Sequence, residues 1–291
     1  MSILISQNSG YCFGVKNAVD KSIELSKNHN NIFSIGELVH NDYTLNILKN
    51  KGINVIEENE IDDIISKYDK PYFIIRAHGV DVSIKKKLEK LKNDNRIDFC
   101  DLTCPFVEKI HSFLDKSTSD NTFTIYLGNH NHPETIGNIS YVKGCYTIVN
   151  DYGDYLTKVN DIVFDNLIFV SQTTAKYNDF VKIKNHILTQ NANAIIFDSV
   201  CKTTINRQTE IEEFSKECDF LYIFGDLKSS NSMKLFNLAK KYCNNTLFVS
   251  SLEDVKVIPN HKKYAIGIAS GASTPREMLS EFEKILKNVK F

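Results

Sequence analysis

Three cysteines, Cys12, Cys104 and Cys201, stand 92 and 97 residues apart and cut a chain of 291 residues into near-equal thirds. Each lies in a polar turn (YCFG, DLTCP and DSVCKTT) just ahead of a stretch read as helix. There, backbone N–H groups and the helix dipole favour a thiolate. Three thiolates meeting at one point suit zinc or an iron-sulfur cluster, and on a cubane three ligands leave one iron open to a substrate. Cys100, Cys145, Cys218 and Cys243 fit inert packing, the commonest fate of a free cysteine. Seven cysteines without paired short spacings point to reduced thiols rather than a disulfide framework.

A second set of polar side chains recurs in step with the first. Twenty-eight residues after each cysteine come His40, His132 and Ser229. Around them and in two further loops lie Asn41, His78 with Gly79, Ser230, Asn231 and Ser273. Histidines, hydroxyls and amides at helix starts can bind a phosphate or diphosphate without a lysine cluster. Singly, each has a plainer reading: Ser and Asn ahead of a helix are caps, and a lone His is a surface or packing residue. Repetition in register favours a shared site. Glu134, two residues after His132, is a carboxylic acid able to deliver protons, and Thr173 in SQTT is a hydroxyl able to relay them. The H-x-H pair of His130 and His132 is an alternative zinc motif, but it lacks a C-x-x-C or H-E-x-x-H companion.

These loops need strands and helices to hold them, and the pattern of apolar residues supplies both. The first third reads as strands at 3–5, 32–35, 53–56 and 72–75, with a lysine-rich helix over 82–91. The second reads as strands at 97–100, 123–127, 146–149 and 167–170. The last has strands at 194–197, 246–249 and 264–268. The fourth-strand loops start at Ala77, Ser171 and Ser270, 65, 67 and 69 residues after the cysteine of the same repeat. One unit written three times predicts repeats at 1–96, 97–193 and 194–291. Strands alternating with helices predict parallel sheets, which present ligands at the carboxyl ends of their strands. The fold class expected is α/β: three similar small domains with mainly parallel sheets, pseudo-threefold around a central iron-sulfur cavity.

Composition narrows the class. With 42% apolar residues, 24% charged residues and a formal charge of -1, the chain reads as an ordinary soluble protein without the basicity of a nucleic-acid binder. No apolar run reaches membrane-spanning length, and MSILISQNSG has no secretory pattern, so the expected location is cytoplasmic.

The motifs, in order, resemble the 4-hydroxy-3-methylbut-2-enyl diphosphate reductases of the non-mevalonate isoprenoid pathway. They are YCFGV at Cys12, LVHN at His40, RAHGV at His78, DLTCP at Cys104, HPE at His132 to Glu134, SQTT at Thr173, CKTTINRQ at Cys201, SSNS at Ser229 and GAS at Ser273. They span essentially the whole chain. The resemblance implies that Cys12, Cys104 and Cys201 hold a 4Fe-4S cluster with one open iron. It implies a diphosphate pocket of His40, His78, His132, Ser229, Ser230, Asn231 and Ser273, with Glu134 as proton donor and Thr173 beside it. It further implies reductive dehydroxylation of the allylic alcohol to isopentenyl and dimethylallyl diphosphates, with electrons from a ferredoxin or flavodoxin. Lys85 to Lys92 offer a face for an acidic carrier, against the plainer reading of a solvated helix. Asn129, where many members have histidine, and Asp226 with Leu227, in place of a short polar segment, are departures that bear on loop shape. The alternatives are an aconitase-like hydro-lyase, using an open iron as Lewis acid without net reduction, and a non-catalytic iron-sulfur redox sensor.

Overall fold

The computed structural model describes residues 2–159, 164–255 and 263–288. The first third runs β1 (Ser2–Ile5), α1 (Phe13–Leu25), β2 (Ile32–Ile35), α2 (Asp42–Asn50), β3 (Ile53–Ile56), α3 (Ile61–Lys67), β4 (Tyr72–Ile75) and α4 (Val82–Asn93). The second repeats the order as β5 (Asp98–Asp101), α5 (Pro105–Ser117), β6 (Phe123–Leu127), α6 (Pro133–Ile139), β7 (Cys145–Val149), α7 (Tyr152–Val159), β8 (Leu167–Ser171) and α8 (Tyr177–Gln190). The third runs β9 (Ile195–Ile196), α9 (Lys202–Phe214), β10 (Phe220–Phe224), α10 (Ser230–Ala239), β11 (Thr246–Val249), β12 (Ala265–Ser270) and α11 (Arg276–Asn288).

Among the described residues all the strand pairs are parallel, in three four-stranded sheets ordered β3-β2-β4-β5, β7-β6-β8-β9 and β11-β10-β12-β1. Sequence repeats and sheets are therefore offset by one strand. The strand that opens each repeat is the edge of the sheet before it, and β1 closes the last sheet against β12. The connection explains the offset. Parallel neighbours need a helical crossover, and α4 supplies it between β4 and β5 as α8 does between β8 and β9.

Two strands run further than their apolar residues suggest. β8 includes Ser171, paired with Leu127, and β12 includes Ser270, paired with Phe224. Both serines are almost fully buried, so the ladder continues after the hydrophobic pattern has stopped.

By packing, the chain forms two compact units: Met1–Lys16, Val39–Ile47 and Lys202–Phe291 make the first, Asn17–Leu38 and Leu48–Cys201 the second. The first holds the β1-containing sheet, whose residues alternate between two cores. Tyr222 and Phe224 pack with Phe282 and Leu286 of α11, while Leu221 and Ile223 pack with Ile211 of α9 and Leu235 of α10. Burial on both faces is why these strands read as continuous apolar runs. The second unit holds the other two sheets, with cores around Phe33, Phe73 and Leu88 and around Ile110, Leu114, Tyr126 and Val170.

Candidate active site

Each of the three cysteine loops is pinned by the same bond. The Cys12 N–H donates to the Ala272 carbonyl, Cys104 to Ala77 and Cys201 to Thr173, at 3.0 Å every time. The strand offset causes this: the loop leaving an opening strand lies beside the loop leaving its neighbour, the fourth strand of the preceding sheet. Ala77, Thr173 and Ala272 are thus equivalent, and the register read from sequence at Ala77, Ser171 and Ser270 is corrected by two residues in the latter two. His78 belongs beside the Cys104 loop and Ser273 beside the Cys12 loop, although the sequence repeats group them with Cys12 and Cys201.

None of the seven cysteines is in a disulfide, and Cys12, Cys104 and Cys201 are half-buried. Helices α1, α5 and α9 begin at the very next residue, and the Val15 N–H donates to Cys12 Sγ at 3.5 Å. Pro105 occupies the first helical position, where a missing N–H costs nothing. These are three equivalent sulfur donors at helix starts. By contrast, Cys243 is buried, and burial together with the nearby Cys243 pushes the Cys218 thiol up to about 12, where it is inert.

Within the second unit, Glu134 is 2% exposed and gripped by one residue. The Thr173 N–H donates to its Oε1 at 2.6 Å and the Thr173 hydroxyl to its Oε2 at 2.9 Å. The carbonyl of the same Thr173 accepts the Cys201 amide. His132 caps α6, its Nδ1 accepting the Glu134 N–H at 3.1 Å. An Nδ1 that accepts carries no proton, so the neutral ring has its hydrogen on Nε2 and acts as a donor there. The His78 ring lies edge-on to it with centroids 5.3 Å apart. His130 is exposed where His132 is buried, which separates the two members of the H-x-H pair.

Within the first unit, Ser229 caps α10 by accepting from the Ser232 N–H at 3.3 Å. Ser230 is half-buried at the first helical position. Asn231 is 6% exposed, and its Nδ2 has no partner among the described residues, leaving a buried donor to be satisfied by something else. The Ser273 hydroxyl donates to the His40 carbonyl at 2.9 Å, tying the GAS loop to the LVHN loop. Asn41 Oδ1 accepts the Thr44 N–H, and the Thr44 hydroxyl reaches the Tyr11 hydroxyl at 2.6 Å, next to Cys12.

Three side chains of the site escaped the sequence reading. Arg207, 5% exposed, donates to the Gly10 and Ser270 carbonyls at 2.7 and 2.9 Å. Gln172, fully buried, accepts the Asn129 N–H. Glu210 accepts the Gln7 and Asn8 N–H groups at 2.5 and 2.9 Å. A signal for Arg207 was present: it is one of four arginines, with Arg76, Arg96 and Arg276, in a chain that otherwise uses lysine. The arginine fork is suited to gripping two carbonyls at once.

Residues 3–287 match the family model described as LytB protein. The chain is 31% identical over 294 residues to a 4-hydroxy-3-methylbut-2-enyl diphosphate reductase of Caldanaerobacter subterraneus, covering 100% of this chain and 98% of the relative. It is 32% identical over 291 residues to the enzyme of that name from Campylobacter hominis, covering 99% and 98%. Among solved structures it is similar to the E-1-hydroxy-2-methyl-but-2-enyl-4-diphosphate reductase from Plasmodium falciparum, with TM-score 0.85 and 26% identity over 100% of this chain and 89% of that one.

Proposed function

The chain belongs to the LytB protein family, and from that premise we propose that it is a 4-hydroxy-3-methylbut-2-enyl diphosphate reductase. The reaction removes an allylic hydroxyl as water with two electrons and two protons, and leaves isopentenyl or dimethylallyl diphosphate according to which end of the allyl unit takes the second proton. The supporting observation is Thr173: one residue holds the buried acid Glu134 through its N–H and hydroxyl and anchors the Cys201 loop through its carbonyl.

Cys12, Cys104 and Cys201 would hold the 4Fe-4S cluster. Three thiols outside any disulfide, at equivalent helix starts and each on a loop tethered by one backbone hydrogen bond, fit that group. When bound, the cluster would relay the two electrons one at a time from an external reductant and would supply a Lewis-acidic iron. Glu134 holds the proton that departs with the hydroxyl. Both of its oxygens accept from Thr173 in the resting arrangement, and a protonated carboxyl keeps lone pairs for those bonds, so Thr173 can hold Glu134 while its proton points to the substrate. The diphosphate is bound by His40, His78, His132, Ser229, Ser230, Asn231 and Ser273, with the buried Nδ2 of Asn231, which has no partner among the described residues, as a ready donor. Electrons come from a ferredoxin or flavodoxin in the cytoplasm. No described helix is long and apolar enough to cross a membrane.

The test is an anaerobic assay of the cluster-reconstituted protein with 4-hydroxy-3-methylbut-2-enyl diphosphate and a chemical reductant, following both five-carbon products. Formation of both, dependent on reductant, is the expected outcome. A protein with an intact cubane that forms neither would sink the proposal, and turnover without reductant would move it to the hydro-lyase class.

A further inference from the structure

The helix that carries Glu134 is inverted in its amphipathicity. α6 buries Glu134, Thr135, Gly137 and Asn138, and turns Ile136 outward at 49% exposure. Only Ile139 packs, partly buried, against the nearby apolar core. Most surface helices are held by a buried apolar stripe, which is tolerant of small rotations. A helix buried on its polar side is instead held by directional bonds, and its orientation is as good as those bonds.

Glu134 makes one such anchorage, to Thr173. The other is Asn138, four residues on and on the same face, with no exposed surface. Its Nδ2 donates to the Tyr126 hydroxyl at 2.7 Å. Tyr126 lies on β6, fully buried, in space left by Gly128, where a Cβ would come within 2.6 Å of the ring. His111 on α5 packs beside Asn138 and feels its amide, while Oδ1 of Asn138 and Nε2 of His111 have no hydrogen-bond partner among the described residues. The His111 ring occupies room left by Gly79, where a Cβ would stand 2.8 Å from its Cε1. Tyr141 stacks on its face at 4.3 Å.

We propose that Tyr126, Asn138 and His111 are positioning residues for Glu134, a buried polar network that sets the rotation of α6 and so the aim of the carboxyl group. The inference rests on the reading of Glu134 as proton donor. It makes Tyr126, whose nearest mobile chemistry is a single hydroxyl, a determinant of turnover rather than of substrate binding. Burial first, and the Glu134 charge second, keep that hydroxyl protonated well above the ordinary tyrosine range, so it acts as a fixed hydrogen-bonding group.

The test is a double-substitution cycle on the cluster-loaded protein with Tyr126→Phe, Glu134→Gln and the pair. Tyr126→Phe keeps the ring in the core and removes the hydroxyl alone. Its expected effect is a fall in kcat of about 10-fold or more with KM within about threefold, the cluster's absorption spectrum being unchanged. In the Glu134→Gln background the same substitution is expected to cost nothing further, because both act through one proton donor. Asn138→Leu, which removes the bond to Tyr126 and the amide beside His111 at similar volume, should reproduce the kcat loss. A Tyr126→Phe protein within about twofold of the parent, or losses that add fully in the pair, overturn the network's role. If Glu134→Gln turns over at the parent rate, the proton-donor assignment itself falls and takes this inference with it, a result that additivity alone would not produce.

Discussion

Residues of one type separate here by where the chain places them. Cys104 stands at a helix start with its amide tethered, whereas Cys243 is buried among Ile211, Leu221 and Leu235. Cys104→Ser is expected to abolish cluster assembly and activity, and Cys243→Ser to leave both nearly unchanged; iron content and turnover of the two purified proteins check this, and equal losses would undo the ligand assignment. His111 makes a prediction in stability. Burial first, with Lys85 adding to it against the opposing Asp101 and Asn138, depresses its pKa from 6.5 to about 4, so the folded imidazole is neutral in a window where the unfolded one takes a proton. Its contribution is complete above pH 6.5 and drains away as pH falls toward 4, by on the order of 3 kcal/mol at most. Urea unfolding at pH 7 and pH 4.5 should show that loss in the parent and a smaller one in His111→Gln. Parallel curves would mean that the ring already titrates in the fold.

At the scale of elements, α9 does more than follow Cys201. Arg207 and Glu210, one turn apart, hold the loop ahead of Cys12 from both sides: the guanidinium takes the Gly10 and Ser270 carbonyls and the carboxylate takes the Gln7 and Asn8 amides. Lysine carries the same charge but cannot form the fork. Arg207→Lys is therefore expected to leave a buried carbonyl short of a donor, costing about 1–3 kcal/mol, and to shed iron several-fold faster on dilution while the other cysteine loops are intact. Denaturant midpoint and timed iron release measure the two effects. An unchanged release rate would remove α9 from the control of the Cys12 loop.

For the whole molecule, the strand offset makes the N-terminus structural. β1 pairs with β12 along Ser2 to Ile5 and contributes Ile3 and Ile5 to the core of the first unit. Deleting residues 1–5 leaves β12 as a bare edge and opens that core. Hydrogen exchange should then lose protection in β12, β10 and β11, while β2 to β9 in the second unit keep theirs. Uniform loss throughout would show that the two units unfold as one body.

The sequence alone determined the strands and helices, the three cysteines, the triplicate plan and the family resemblance, because each of these is written locally: apolar runs make strands, punctuation makes turns, and nine short motifs stand in order. Tertiary structure decided what pairs with what. That β5, read as the opening of a second repeat, closes the first sheet, and that His78 therefore lies beside the Cys104 loop, depends on crossovers between distant strands. Ser171 and Ser270 extend strands that hydropathy ends too early, since backbone pairing, not side-chain polarity, carries the ladder onward. Arg207, Asn138, Tyr126 and His111 left no periodic trace. Their partners lie on other strands, loops and helices, and a hydrogen bond between residues far apart in the chain has no signature in the order of either.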